Sequence, residues 1–183
     1  DGKVLWQRTV KYTDTEESHR TNPYCSESPA TDGERVVAVY GSAGVVCYDL
    51  NGKLLWKRDL GKIQFEWGSA ASPVIHGNLI YIYRGPDPKA HLVALDKRTG
   101  KVLWKDDRSD MAVNYSHPVI CSTPVGDEIV LAGTGLLIGY DPATGKRLWR
   151  AQVLLRNIKT TPVVRDGVIY ISLQSGGIAN QWL

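Results

Sequence analysis

No apolar run in this 183-residue sequence is long enough to span a bilayer, and no charged-then-apolar leader opens it, so neither a membrane-spanning helix nor a signal peptide is expected. No lysine and arginine cluster interleaved with aromatics occurs, and the formal net charge is only +3, which leaves nucleic-acid and membrane-surface binding without a footprint. Cysteine is scarce. Cys25, Cys47 and Cys121 form no Cys-x-x-Cys pair and leave at least one thiol unpaired, so the redox compartment is not fixed. His19 with Cys25, or His117 with Cys121, lacks a strong zinc-ligand spacing, and no metal is expected. There is no Gly-x-Ser-x-Gly elbow and no phosphate loop, since Gly133-Thr134-Gly135 lies between two strand-like runs and caps no helix. A sustained helical period is also missing. What remains, 43% hydrophobic and 22% charged residues, is the ordinary balance of a globular domain.

What the sequence does have is a repeat. Gly-Lys-x-Leu-Trp occurs at Gly2–Trp6, Gly52–Trp56, Gly100–Trp104 and Gly145–Trp149, so the tryptophans follow one another at intervals of 50, 48 and 45 residues. Periods of this size mark architectures built from one supersecondary unit per repeat. Each full copy begins with an aspartate that can accept turn N–H groups and closes on a glycine that tolerates φ > 0, as in Asp96-Lys97-Arg98-Thr99-Gly100. Asn51-Gly52 does the same with a shorter turn. The motif therefore reads as a hairpin whose second strand carries Trp onto a neighbouring sheet, where the indole N–H finds a carbonyl.

Upstream of each hairpin, Ser-Pro or Thr-Pro pairs, a glycine turn and β-branched runs complete a four-stranded meander. The pairs at Ser28-Pro29, Ser72-Pro73, Thr123-Pro124 and Thr161-Pro162 mark the expected innermost strands, because proline is tolerated at a strand start. The fold expected is all-β, a β-propeller of four-stranded antiparallel blades. About four blades are expected: an outermost strand at 1–10, blades at 28–60, 72–108 and 123–153, and a partial blade at 161–183. The two ends are complementary, so the fourth blade is either assembled from both termini or left partial. A homodimer completing a ring, or the remainder of a larger propeller, would pair those edges. Cys25 and Cys121 fall at similar distances before Pro29 and Pro124 and read as small buried strand residues.

Asp-x-x-Thr-Gly-Lys-x-Leu-Trp at 96–104 and 141–149, with Ser/Thr-Pro-Val and Gly-x-(Val/Ile)-Tyr-(Val/Ile) upstream, resembles the tryptophan-docking repeat of the pyrroloquinoline quinone (PQQ) enzyme-like propellers. The resemblance covers nearly the whole chain. It implies a periplasmic or extracellular protein. The superfamily includes quinoprotein alcohol dehydrogenases, a propeller lipoprotein of outer-membrane barrel assembly, and sensor domains. The dehydrogenases use adjacent cysteines above the quinone and an acidic set around calcium. No two cysteines are adjacent here and no Cys-x-x-Cys-His haem motif occurs, so no cofactor is expected, with PQQ and calcium as the alternative.

The residues that escape the repeat are the ones to examine for function. In a propeller, the segments entering the innermost strands gather at one channel mouth, and these bring His19, Asn22, Glu66, Trp67, Asn114, His117, Asn157 and Lys159 there as candidate ligand-binding residues. Trp6, Trp56, Trp104 and Trp149 are structural docking residues. The function expected is a non-catalytic binding or protein-interaction scaffold; a quinone-dependent oxidoreductase and a sensor fragment of a larger protein are the alternatives.

Overall fold

A computed structural model describes residues 2–22, 24, 26–65, 67–85, 88–111, 114–153 and 160–172. It is built from antiparallel meanders. The first blade is β1 (Ala30–Thr31), β2 (Arg35–Val39), β3 (Val45–Asp49) and β4 (Leu54–Arg58), paired in chain order. The second is β5 (Val74–His76), β6 (Leu79–Tyr83), β7 (His91–Asp96) and β8 (Val102–Asp107). The third is β9 (Val119–Thr123), β10 (Gly126–Gly133), β11 (Leu136–Tyr140) and β12 (Arg147–Gln152). A two-stranded sheet, β13 (Val163–Arg165) and β14 (Val168–Tyr170), begins a fourth. These are the four-stranded blades of a β-propeller, with β1 beside β5 and β9 beside β13 as innermost strands.

The repeated motif works as expected, with one device that periodicity alone does not show. In every complete blade the register slips at the same place: Cys47 faces Trp56 but Tyr48 faces Leu54, Ala94 faces Trp104 but Leu95 faces Val102, and Gly139 faces Trp149 but Tyr140 faces Arg147. The leucine of Gly-Lys-x-Leu-Trp is thus the extra residue of a β-bulge, and Leu55, Leu103 and Leu148 are exposed. A bulge bends the strand and re-aims the next side chain, here the tryptophan. Trp56 Nε1 donates to Lys97 O at 3.0 Å and Trp104 Nε1 to Pro142 O at 3.0 Å, each in the following blade. Their rings rest on Gly100 and Gly145, where a Cβ would meet ring carbons at 2.5 and 2.6 Å. Trp6 docks in the same way, donating to Leu50 O at 2.8 Å with its ring over Gly52. Trp149 differs: its ring covers Gly139 of its own blade, and Nε1 donates to Glu128 Oε2 at 2.6 Å.

The core is shared between blades. Tyr81, Tyr83, Leu92, Ile129, Leu131, Ile138 and Tyr140 form one buried cluster where blades two and three meet. Val37, Val45, Cys47, Ile80, Ile82, Val93 and Leu95 form another between blades one and two. β6, β7 and β10 are therefore apolar on both faces and fit no strict alternation.

Two expectations need correction. The third blade begins at Val119, not at the Thr123-Pro124 pair proposed to open a blade at 123–153. Thr123-Pro124-Val125-Gly126 lies at the β9–β10 turn, and His117-Pro118 occupies the place of Ser28-Pro29, Ser72-Pro73 and Thr161-Pro162. Histidine in the Ser/Thr position hid the true start. Cys121 is accordingly a buried residue of β9 itself, out of phase with Cys25, which lies outside the described residues. Residues 2–10, expected as an outermost strand at 1–10, pair with no strand among the described residues. Residues 173–183, with Trp182 and the expected pairing of the two ends, lie outside the described residues.

Candidate functional site

One end of the propeller carries the β2–β3 and β6–β7 connections together with the segments that link one blade to the next. The polar connection 11–22 is fastened there. Glu16 is buried, and its carboxylate accepts the Ser42 backbone N–H, with Oε1 and Oε2 at 3.3 and 3.1 Å. The neighbouring Gly41 makes room for it, since a Cβ there would fall 1.9 Å from Glu16 Oε1. Ser42 Oγ accepts the Ile63 N–H at 2.9 Å, and Tyr24 donates to Glu16 O at 2.8 Å. Lys62 pairs with Asp14.

Beside this sits a buried arginine. Arg84 is 3% exposed and donates to Gly41 O at 2.8 Å and Gly61 O at 2.5 Å, bonds that offset the cost of removing its charge from water. Glu27 is buried nearby and accepts a hydrogen bond from Ser69. Burial pushes its carboxyl above the usual range, against the lowering effect of that hydrogen bond and of Arg84. Neither Glu16 nor Arg84 stands out as functional in the sequence. Arg84 does carry a signal: it occupies the phase of Tyr40, as the Tyr40 N–H to Gly44 O and Arg84 N–H to His91 O bonds show.

This fastened segment presents three of the expected ligand-binding residues together. His19 stacks on Trp67, with ring centroids 4.4 Å apart and planes inclined by 18°. Asn22 donates from Nδ2 to Trp67 O at 2.5 Å and more distantly to Ser69 O at 3.4 Å, and accepts from Ser26. Trp67 stays 46% exposed. Ser18, His19, Arg20 and Trp67 line an open concavity of about 440 Å³. Sequence reasoning named His19 and Trp67 but not Ser18 or Arg20, whose types are ordinary for any solvated loop.

The other expected residues are placed differently. Asn114 is fully buried: it donates to Ala132 O at 2.5 Å, accepts the Ser116 N–H at 2.9 Å, and so braces the loop from inside without facing a ligand. His117 is half-buried at the start of β9, where its N–H donates to Thr161 Oγ1 at 3.3 Å and Nδ1 lies 2.9 Å from the same hydroxyl. Burial holds its pKa below the ordinary histidine value. Ser28 N–H donates to Ser72 Oγ at 3.0 Å in the same manner, so His117 takes part in a seam between innermost strands. Glu66, Asn157 and Lys159 lie outside the described residues.

The arrangement suits recognition by contact: an exposed aromatic pair, a guanidinium and hydroxyls on a shallow surface whose backbone is pinned from below. Among the described residues no three His, Cys, Asp or Glu side chains converge as a cation site, and Cys47 and Cys121 are separately buried in different blades. No helix among the described residues is long and apolar enough to cross a membrane.

Comparison with known proteins places this geometry. The family profile described as outer membrane protein assembly factor BamB matches residues 1–182. BamB of Escherichia coli K12 is 24% identical over 180 residues, covering 97% of this chain and 42% of that protein. Subunit 1 of the cytochrome c-linked methanol dehydrogenase of Methylobacterium organophilum is 35% identical over 68 residues, 33% of this chain and 11% of that one. Among solved structures, BamB from Moraxella catarrhalis superposes with a TM-score of 0.60 at 21% identity, covering 77% of this chain and 41% of that chain. A europium-containing methanol dehydrogenase superposes at 0.53 and 14% identity, over 68% and 31%. The chain thus spans 42% of the length of its Escherichia coli relative. With a profile match over nearly every residue and the docking tryptophans in phase, the chain belongs to the BamB family of PQQ-like β-propellers.

Proposed function

We propose that this chain is a non-catalytic protein-binding scaffold that serves outer membrane protein assembly, and that its working surface is the end of the propeller carrying the His19–Trp67 stack. The observation that carries the reading is that stack. An aromatic ring 46% exposed, clamped on one side by histidine and at its carbonyl by Asn22, is a preorganised anchor of the kind that dominates protein interfaces. The site of action, the outer membrane, is taken from what its relatives are called. A photo-crosslinking residue placed at Arg20 in a Gram-negative envelope tests the reading. Adducts with an outer membrane protein or with its assembly machinery support it; recovery of none overturns it.

The scaffold works without PQQ. Incubation with PQQ and Ca²⁺ is expected to give neither a bound quinone absorption band nor dye-linked alcohol oxidation, and the appearance of both makes the chain an oxidoreductase. Completion of a ring by a second copy is a further part of the proposal, motivated by residues 2–10, which flank the first blade without a strand partner among the described residues. A dimer mass by light scattering supports it, and a monomer mass at micromolar concentration retires it.

A further inference from the structure

Blades two and three are clamped differently from the other junctions, and the difference builds a second site. After Trp6 and Trp56, an arginine two residues on reaches the next blade's turn glycine: Arg8 Nε donates to Gly52 O at 2.7 Å and Arg58 Nε to Gly100 O at 2.7 Å. Two residues after Trp104 the chain has Asp106, and the partner comes from the other side. Arg147 of β12 donates to it from Nε at 2.9 Å and Nη2 at 2.7 Å, where the equivalent residues of the other complete blades are Leu54 and Val102. Arg108, its side chain 5% exposed, lies 3.5 Å from the same carboxylate and 3.2 Å from Asp110. Arg150, one residue beyond Trp149, has no ion-pair partner among the described residues.

These residues line a cleft of about 200 Å³: Arg108, Arg147 and Arg150 stand over Leu136, Ile138 and Leu148, with Asp110 at the lining and Trp149 beside it. We propose that this cleft binds a carboxylate side chain of a partner polypeptide, with the apolar residue beside that carboxylate resting on the leucines and isoleucine. Arg108 and Arg147 are paired with Asp106 and Asp110, and Arg150 is the guanidinium of the cleft with no ion-pair partner among the described residues, so it is the group left to take an anion. Arginine's planar fork pairs with a carboxylate through two parallel bonds. Asp106 already orders Arg147 and Arg108, so little conformational freedom is lost when a ligand arrives. At about 200 Å³ the cleft has room for one side chain. The site shares no lining residue with the His19–Trp67 concavity and does not depend on the reading given to that surface.

The test is fluorescence anisotropy with labelled peptides of alternating Leu-Glu, Leu-Gln and Leu-Lys, titrated with the full chain at low salt. Binding of the Leu-Glu peptide alone is expected, weakened by added salt as screening requires. Arg150→Glu should reduce that binding by about tenfold or more. Lys57→Glu, the same charge reversal at the equivalent exposed position of the first blade, should leave it within about twofold, so that net charge is not the cause. Equal binding of Leu-Glu and Leu-Gln peptides, or equal loss in both variants, overturns the proposal. So does competition by free glutarate at the peptide's own affinity, which would make the ligand a small dicarboxylate. Circular dichroism of the Arg150→Glu protein separates loss of the site from loss of the fold, and rescue of binding by Arg150→Lys confirms that the charge acts at that position.

Discussion

At Gly100 two demands coincide: φ is +67°, a region that L side chains enter at a cost of about 1–2 kcal/mol, and the Trp56 ring occupies the space a Cβ needs. At Gly135 φ is +77° but the space is open. Gly135→Ala is therefore expected to cost the backbone contribution alone, and Gly100→Ala to cost about 1–3 kcal/mol more through overpacking, as urea denaturation will show. Equal costs would mean that the Trp56 ring yields freely. Two carboxyl groups respond to pH with opposite signs. The ammonium of Lys97, 2.8 Å from Asp32 across the blade junction, together with the Glu34 and Arg35 N–H groups holds the Asp32 pKa well below its ordinary value. Its contribution is present above the unfolded value, about 4, and is lost as pH falls through the folded one. Burial raises Glu27, so its contribution is full below the unfolded value and declines as pH rises through the folded one. Glu27→Gln keeps an acceptor for Ser69 and sheds the buried charge; it is expected to stabilise the protein at pH 7 and to make no difference below about pH 4. Destabilisation at pH 7 would show that the attraction of Arg84 outweighs desolvation. Glu16 was not legible as buried, because a glutamate in a polar stretch carries no mark of the glycine, Gly41, that makes room for it 25 residues later.

Among elements, the hairpin was legible throughout, because Asp and Gly at fixed phase have a local job: Asp96 Oδ1 accepts the Arg98 and Thr99 N–H groups and the Thr99 hydroxyl, and Asp141 repeats the Thr144 contacts. The bulge at Leu55, Leu103 and Leu148 was not, since it is a relation between two strands that the motif alone does not state. The third blade's start was misplaced for a related reason. Thr-Pro at 123 imitates a strand start, and only pairing with β10 shows it to be a turn. Exposure was legible where it follows from a loop position, as at Trp67, and illegible where a loop side chain turns inward, as at Asn114. Strand order also ranks stability. β10 and β11 pair over five positions, with Ile129, Val130, Leu131 and Ile138 buried, whereas β13 and β14 pair over three, with Val163, Val168 and Tyr170 exposed. Amide exchange should therefore be slowest at Ile129–Ala132 and fastest, among strand residues, at Val163–Tyr170. Uniform protection across the strands would contradict this order.

Across the whole molecule, the sheets joined by strand contacts among the described residues are adjacent blades, β1 against β5 and β9 against β13, so stability is expected to behave as a sum of blade and junction contributions, as in other repeat architectures. The junctions are unequal. The one between blades two and three joins Tyr81, Tyr83, Leu92, Ile129, Leu131, Ile138 and Tyr140 in a single buried cluster, with Trp104 packed against it, stacked on Tyr140 at 6.5 Å and tilted toward Tyr81 at 5.9 Å. Trp6 instead covers the flank of the first blade from a segment that joins no sheet among the described residues, tied by its Leu50 bond and by Arg8 on Gly52. Trp104→Ala removes a central tie and costs about 3–5 kcal/mol. Because the lost energy belongs to one junction, the blades on either side are expected to uncouple. The urea curve should broaden into two steps, with a smaller slope in each than in the unmodified chain. Trp6→Ala removes only a peripheral tie, and the single transition should persist with a modestly lower midpoint. The two variants, followed by far-ultraviolet circular dichroism and by tryptophan emission, decide between additive blades and one indivisible unit. If Trp104→Ala lowers the midpoint without broadening, and both probes coincide, the blades unfold together and the nearest-neighbour description fails for this chain.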